Sequence, residues 1–342
     1  MRAMVMSTPG GAEVLHPLLI EQPAIAKPGE MLVRVIAAGV NPVDAKLRAR
    51  GTYFPKELPS VLGCDGAGIV EAVGSEVTHF RPGDAIYYCY GGLGQARCGN
   101  YAEYAVIDAA FAASKPAALS FAEAAAAPLV LITAWESLFD RAQLGEGMKV
   151  LIHAGAGGVG HVAIQLAKLA GAEVATTVGS PDKAAFVRAL GADLIIDYTQ
   201  QDFVAEVLKW SDGRGVDICL DTVGGEIFNR SIGATAFYGD LVTLLQVTEN
   251  ADWKTARLRN LRISQELMLS PMVCGLPEGG EHHSAILDQC GQFFDEGKLK
   301  IHLGAVLPLG EAQQAHRLIE EGHTTGKIVL VVEDDNESEE DA

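Results

Sequence analysis

Gly155, Gly157 and Gly160 stand in the spacing GxGxxG. Residues 148–153 precede them and read as a buried strand, with Val150, Leu151 and Ile152 at its centre. Val162, Ala163, Ile164, Leu166, Ala167 and Leu169 follow and suit a helix packed on a sheet. Strand, glycine turn and helix in that order are what a dinucleotide site requires. Gly155 permits the tight turn, Gly157 lets backbone approach a pyrophosphate, and Gly160 lets the helix lie against the strand. Gly158 and Val159 open that helix, whose free N–H groups and positive dipole end attract phosphate. A glycine-rich turn in an unrelated α/β protein carries the same three letters, and the flanking strand and helix are what separate the two readings.

The choice of dinucleotide is read one strand further on. A site for NAD places Asp or Glu about 20 residues beyond the glycines, on the ribose 2′-hydroxyl. Here the strand ends Thr177-Val178-Gly179-Ser180, and Val178 holds that position. No carboxylate stands there to repel a 2′-phosphate. Ser180 can donate to the phosphate and Lys183 can supply charge. Ser180-Pro181 also reads as a helix N-cap with proline at the first helical position, and Lys183 as a solvated helix lysine. The missing acid, more than any added contact, makes NADPH the expected cofactor.

These residues need elements to position them. A chain of 342 residues, 49% of them apolar, has material for about two domains. Its N-terminus has one arginine and no apolar h-region, so no signal peptide is expected. No apolar run reaches the roughly 18 residues of a membrane span. The six cysteines (Cys64, Cys89, Cys98, Cys219, Cys274 and Cys290) form no CxxC pair. Free thiols and a cytoplasmic protein are the plainer reading. Net charge is −18, and residues 333–342 hold seven acids and no base. That tail is expected to be disordered. The body stays acidic without it, which argues against nucleic acid and anionic membranes as partners.

Residues 1–120 read as mostly β, with short strands at 31–37, 68–73, 84–90 and 101–106 separated by turns. That pattern fits a compact barrel-like domain. From Phe121 the pattern alternates. Helices are expected at 121–128 and 129–138, and again at 182–190, 203–210 and 225–232. Strands are expected at 148–153, 173–178, 194–198, 216–221 and 239–245. Such alternation indicates a parallel, doubly wound sheet. Beyond Arg262, Pro271, Gly275, Pro277 and Gly279-Gly280 mark loops, with His282-His283 read as a surface pair in one of them. Helices at 284–297 and 310–321 and strands at 302–306 and 327–332 follow. The domains expected are 1–120 with 270–332, and 121–269.

Six motifs stand in order: GVNPVD (39–44), LGCDGAGIVEAVG (62–74), RPGD (81–84), LITAW (131–135), AGAGGVG (154–160) and TGKIVL (325–330). Together they resemble the medium-chain dehydrogenase/reductase superfamily, in its zinc-independent quinone oxidoreductase, or zeta-crystallin-like, branch. The resemblance runs over residues 1–332. It implies an α/β chain in which a GroES-like β-barrel catalytic domain receives a doubly wound Rossmann domain, with the cofactor in the cleft between them. It also implies a homodimer formed through an edge strand, expected at 241–245. Thr133 resembles the family threonine that faces the nicotinamide ribose, and Tyr198 the tyrosine near the adenosine phosphate. Lys327, in TGKIVL, joins the cofactor set.

The catalytic groups implied by the resemblance are Asn41, Tyr53 and Asp44, from segments that line the cleft in related enzymes. Asn41 could hydrogen-bond the substrate oxygen, and Tyr53 could do likewise or relay a proton. Asn41-Pro42 also reads as a turn, Tyr53 as a half-buried aromatic and Asp44 as a cap. The superfamily's zinc enzymes place a cysteine where this chain has Asn41, and Gly-His-Glu where it has Gly63-Cys64-Asp65. Cys89 and Cys98 are two where a structural zinc lobe needs four. Too few ligands remain for zinc. The expected activity is hydride transfer from NADPH to a quinone or to the C=C bond of an α,β-unsaturated carbonyl. The competing readings are a zinc-dependent alcohol dehydrogenase and a non-catalytic NADPH-binding protein.

Overall fold

The computed structural model describes residues 1–95 and 99–332. Cys98 and the acidic tail at 333–342 lie outside the described residues. The chain forms two compact units. Unit one is Met1–Leu129 with the chain from Leu269 onward, and unit two is Val130–Met268.

Unit one begins with β1 (Arg2–Met6), β2 (Leu15–Leu19), β3 (Glu30–Val40) and β4 (Ser60–Val61). It continues with β5 (Asp65–Val73), β6 (Ala85–Cys89), β7 (Tyr104–Asp108) and β8 (Ala112–Ser114). Unit two contributes β9 (Lys149–Ile152), β10 (Glu173–Val178), β11 (Leu194–Asp197), β12 (Val216–Asp221), β13 (Thr235–Thr243) and β14 (Arg262–Gln265). The chain then returns to unit one with β15 (Leu303–Pro308) and β16 (Lys327–Val331).

The larger sheet of unit one runs β15-β16-β3-β5-β6-β8, with β7 also on β3. Its central strand β3 buries Met31, Val33 and Val35 and leaves Leu32 and Arg34 half-buried, the alternation of a strand with one face in a core. β16 runs antiparallel to β3 with Ile328 opposite Val40, and β5 lies on the other side with Asp65 opposite Gly39. That register brings residues 41, 65 and 327 to one end of three neighbouring strands. Ser120 opens the helix Phe121–Ala126, accepting from the Glu123 N–H while the Glu123 carboxylate accepts from the Ser120 N–H. This helix was expected with the dinucleotide domain. It packs instead on β3, β5 and β16 of unit one, because its Ala124–Ala126 face is small enough to lie flat on them.

In unit two the sheet runs β11-β10-β9-β12-β13-β14 and every pairing is parallel. Counted within the unit the order is 3-2-1-4-5-6, that of a Rossmann fold. Leu151, Ala175, Cys219 and Leu241 sit side by side across its strands, and Phe203, Val207, Phe228 and Ile232 from helices cover them. No helix among the described residues is long and apolar enough to cross a membrane.

Three expectations change. The segment 241–245 is not an edge. β13 lies between β12 and β14, and the edge is the more polar β14. Asn41-Pro42 is not a free turn, since Pro42 occupies the first position of the helix Pro42–Arg50. The stretch read as a loop with His282-His283 lies within one helix, Pro277–Asp295. Its glycines serve close approach and not chain reversal. A Cβ at Gly280 would press on the Phe111 ring, and one at Gly279 would collide with Pro271. His283 is buried, edge-on to Phe111 at 5.9 Å between ring centroids.

Candidate functional site

In unit two the glycine turn forms at the carboxyl end of β9, where ligands bind in open α/β sheets. The Gly155 N–H donates to the Thr177 carbonyl at 3.0 Å, and the Gly157 N–H to the Ala154 carbonyl at 2.9 Å. A Cβ at Gly155 would collide with Thr176 Oγ1, and one at Gly160 with the Ala154 carbonyl. Gly155 and Gly160 therefore hold strand, turn and helix closer than any other residue permits. Gly157 is the N-cap of the helix Gly158–Leu169, and no side chain caps it. The first turn, with Gly158 and Val159 half-buried, leaves its N–H groups for an anion. The left-handed residue of the turn is not a glycine but Ala154, at φ +50°.

At the end of β10, Val178 is buried and the backbone passes to Gly179. Tyr198 lies against Gly179 so closely that a Cβ there would collide with the phenol, yet its side chain is 59% exposed. Ser180 is the N-cap of the helix Pro181–Ala189 and accepts from the Lys183 N–H at 3.3 Å. Lys183 is half-buried in the first turn of that helix. Opposite Val178 on the next strand stands Asp197, which accepts from the Thr199 N–H and hydroxyl in its own turn. The glycines, Ser180, Lys183 and Tyr198 thus come together around the carboxyl ends of β9 and β10. Thr133 is buried on the helix Pro128–Trp135 of the same unit.

Two groups in unit two escaped the sequence reading. Glu266, just past β14, is buried and pairs with Arg141 at 2.8 Å. Burial, and then the neighbouring Glu136 carboxyl, push Glu266 up to about 7, against the pull of Arg141. His153, just past β9, is buried and hydrogen-bonds at both ring nitrogens, to Thr177 Oγ1 at 3.2 Å and to Ser231 Oγ at 2.9 Å. Burial holds it down at about 4, so the ring is neutral. A histidine ending an apolar strand just before a glycine turn was the available signal.

In unit one the register of β3, β5 and β16 assembles a buried polar network. Asn41 is 1% exposed and uses both ends of its amide, Nδ2 donating to Asp65 Oδ2 at 2.9 Å and Oδ1 accepting from the Lys327 ammonium. Lys327, 3% exposed, also reaches Asp65 Oδ2 at 3.4 Å. Asp65 Oδ1 accepts from the Leu129 N–H at 2.8 Å. Asp44 accepts from the Asn41 N–H at 2.8 Å, closing the capping box of the helix Pro42–Arg50, and from Tyr101 Oη at 3.2 Å. Burial, opposed by that N–H, pushes Asp44 up to about 6. Cys64 Sγ lies 3.5 Å from Asp44 Oδ1, and burial beside Asp44 pushes its thiol well up.

Asn41, Asp44 and Lys327 are therefore brought together, with Asp65 as the member the sequence reading passed over. Lys327, expected at the cofactor, turns its charge to Asn41 and Asp65. Asn41, expected as a donor to substrate, is buried and gives one amide N–H to Asp65, and Asp44, expected as catalytic, caps a helix. Tyr53 stands apart from this network, 43% exposed, its N–H donating to the Leu93 carbonyl at 3.1 Å.

The chain is similar to proteins already known. Residues 27–117 match the family described as alcohol dehydrogenase GroES-like domain, and residues 190–330 the one described as zinc-binding dehydrogenase. The quinone oxidoreductase of Pseudomonas aeruginosa is 35% identical over 325 residues, covering 94% of this chain and 97% of that protein. The structure of Escherichia coli quinone oxidoreductase complexed with NADPH superposes with a TM-score of 0.86 at 29% identity, covering 97% of this chain and all of that one. That of an NAD-dependent alcohol dehydrogenase gives a TM-score of 0.86 at 36% identity with the same coverage.

Proposed function

The chain belongs to the medium-chain dehydrogenase/reductase superfamily, on its quinone oxidoreductase branch, and from that premise we propose an NADPH-dependent reductase of quinones or of α,β-unsaturated carbonyls. It is an oxidoreductase.

The observation that carries the cofactor reading is the end of β10. The position that holds a carboxylate in an NAD site is the buried, apolar Val178, and the neighbouring Asp197 is engaged in its own turn. Lys183 and the capping Ser180 follow directly, and Tyr198 offers an exposed ring beside Gly179. The uncapped start of the helix Gly158–Leu169 suits the pyrophosphate. When bound, NADPH would supply hydride.

Similarity to the Pseudomonas and Escherichia quinone oxidoreductases supports a quinone as acceptor, and an enone is the acceptor of like chemistry. Adding hydride to either drives negative charge onto an oxygen, which needs a donor. Tyr53 is the candidate whose side chain reaches solvent, so we assign it that role. Asn41 and Asp44 brace the segment before it. The reading is zinc-free because the donor set does not suit the metal. Asn41 offers only an amide, a ligand type zinc does not favour, and its oxygen already accepts from the Lys327 ammonium. That ammonium also reaches Asp65, so positive charge already stands beside Asn41 and Asp65.

Titration of both cofactors by protein fluorescence tests the reading. NADPH is expected to bind more tightly than NADH, and Val178→Asp to move the preference toward NADH by about tenfold or more, through repulsion of the 2′-phosphate. Turnover is then followed as NADPH oxidation over a panel of quinones, enals and enones. Equal or tighter NADH binding by the unmutated protein, with oxidation of an alcohol, would overturn it in favour of an NAD-dependent alcohol dehydrogenase.

A further inference from the structure

The proton directions around His153 are assigned from the partners its neighbours have. Ser231 Oγ donates its single proton to the Ile227 carbonyl at 2.7 Å, so toward His153 it can only accept. That network assigns the His153 proton to Nε2 and leaves Nδ1 as the acceptor. A bare Nδ1 accepts from Thr177 Oγ1, 3.2 Å away. That hydroxyl, its proton given to the imidazole, turns its lone pairs to the Ala154 N–H at 3.0 Å. The imidazole is set edge-on to Phe203, 4.8 Å between ring centroids, and its own carbonyl accepts from Thr222 Oγ1 at 2.9 Å.

The end of this chain of bonds is the residue that most needs holding. Ala154 is left-handed at φ +50°, a conformation that costs an L-residue about 1–2 kcal/mol. Its carbonyl accepts from the Gly157 N–H, and Gly160 packs directly on it. A relaxed Ala154 would pull that carbonyl away from both, and the phosphate-facing turn would lose its shape.

We propose that His153, acting through the Thr177 hydroxyl, is a positioning residue for the dinucleotide turn. This rests on the NADPH reading above. The imidazole touches no cofactor atom. It orients a hydroxyl, the hydroxyl pins a strained backbone N–H, and the pinned residue fixes where Gly155 and Gly157 present their backbone. Because the ring is neutral and remains so down to about pH 4, the arrangement holds across the physiological range.

The two arms of the ring can be tested separately. His153→Asn keeps an acceptor where Nδ1 stood, and His153→Gln keeps a donor where Nε2 stood. Calorimetric titration with NADPH is run on both, on Thr177→Val and Thr177→Ser, and on the double variant His153→Gln/Thr177→Val, with thermal midpoints measured in parallel. His153→Asn and Thr177→Ser are expected to keep Kd within about threefold, while His153→Gln and Thr177→Val each weaken it about tenfold, the scale of one lost hydrogen bond. The double variant should be no weaker than either single one, since both cut the same path. Midpoints that fall alike in Asn and Gln while Kd is unchanged in both would overturn the proposal and leave His153 a purely structural residue. Failure of the unmutated protein to bind NADPH would overturn the cofactor reading instead.

Discussion

The buried network of unit one is charged, and the one behind the glycine turn of unit two is neutral. In the first, Lys327, Asp65 and Asp44 share a buried space with Asn41. In the second, an imidazole and two hydroxyls pass hydrogen bonds from Ala154 to Ile227. Charge makes each member of the first dependent on the others, because removing one leaves an uncompensated ion in a low dielectric. The second loses one hydrogen bond at a time, and what it supplies is direction. Deletions should therefore register mainly as stability in unit one and mainly as ligand affinity in unit two.

The largest effect should follow from Lys327→Met. It strands Asp65 beside Asn41, and urea unfolding should register a loss of about 3–5 kcal/mol. Adding Asp65→Asn should recover part of it. A loss near zero for the single variant would mean that the charges are not coupled as drawn.

The next effect separates the networks by pH. His153 is held down at about 4 from 6.5, so its contribution is complete above pH 6.5 and is lost as pH falls toward 4, about 3 kcal/mol in all. Asp44 is pushed up from 3.8 to about 6, so its contribution is complete below 3.8 and is lost as pH rises through 6. The stability advantage of the unmutated protein over His153→Asn should shrink between pH 7 and pH 4.5, and its advantage over Asp44→Asn should grow. Differences that move the same way in both variants would erase the distinction. The smallest effect expected is that of Ser231→Ala, which frees the Nε2 proton and loosens the tautomer: NADPH affinity should fall by less than the roughly tenfold loss of His153→Gln, with about 1 kcal/mol lost in thermal unfolding.

How much of this was legible depends on how far apart the partners lie in the chain. The glycine turn and Val178 could be read directly, since strand, turn and helix are contiguous and a fixed count of residues separates the glycines from the next strand end. The network of Asn41, Asp65 and Lys327 could not, because it exists only through the register of β16 on β3 and of β5 on β3. Asn41 and Lys327 each carried a plausible role alone, and their mutual bond changes both. Gly279 and Gly280 misled for another reason. Glycine marks either a turn or a close approach, and only the Pro271 and Phe111 side chains packed on them decide which. Ala154 gave no signal, as nothing in an alanine foretells a left-handed backbone.

The connectivity of the two units bears on the order in which they can form. Unit two is one continuous stretch, Val130–Met268, so all of its strands leave the ribosome together. Unit one is begun first and closed late, for β3 waits on β16, synthesised nearly three hundred residues afterwards. Until β16 docks, Asp65 and Asn41 have no Lys327. A nascent chain would thus carry a finished dinucleotide fold while β3, already paired with β7 at residues 30–34, stays open at residues 37–40, the kind of edge that invites pairing with another chain. The arrival of one lysine-led strand closes that edge and neutralises the buried carboxylate in the same event.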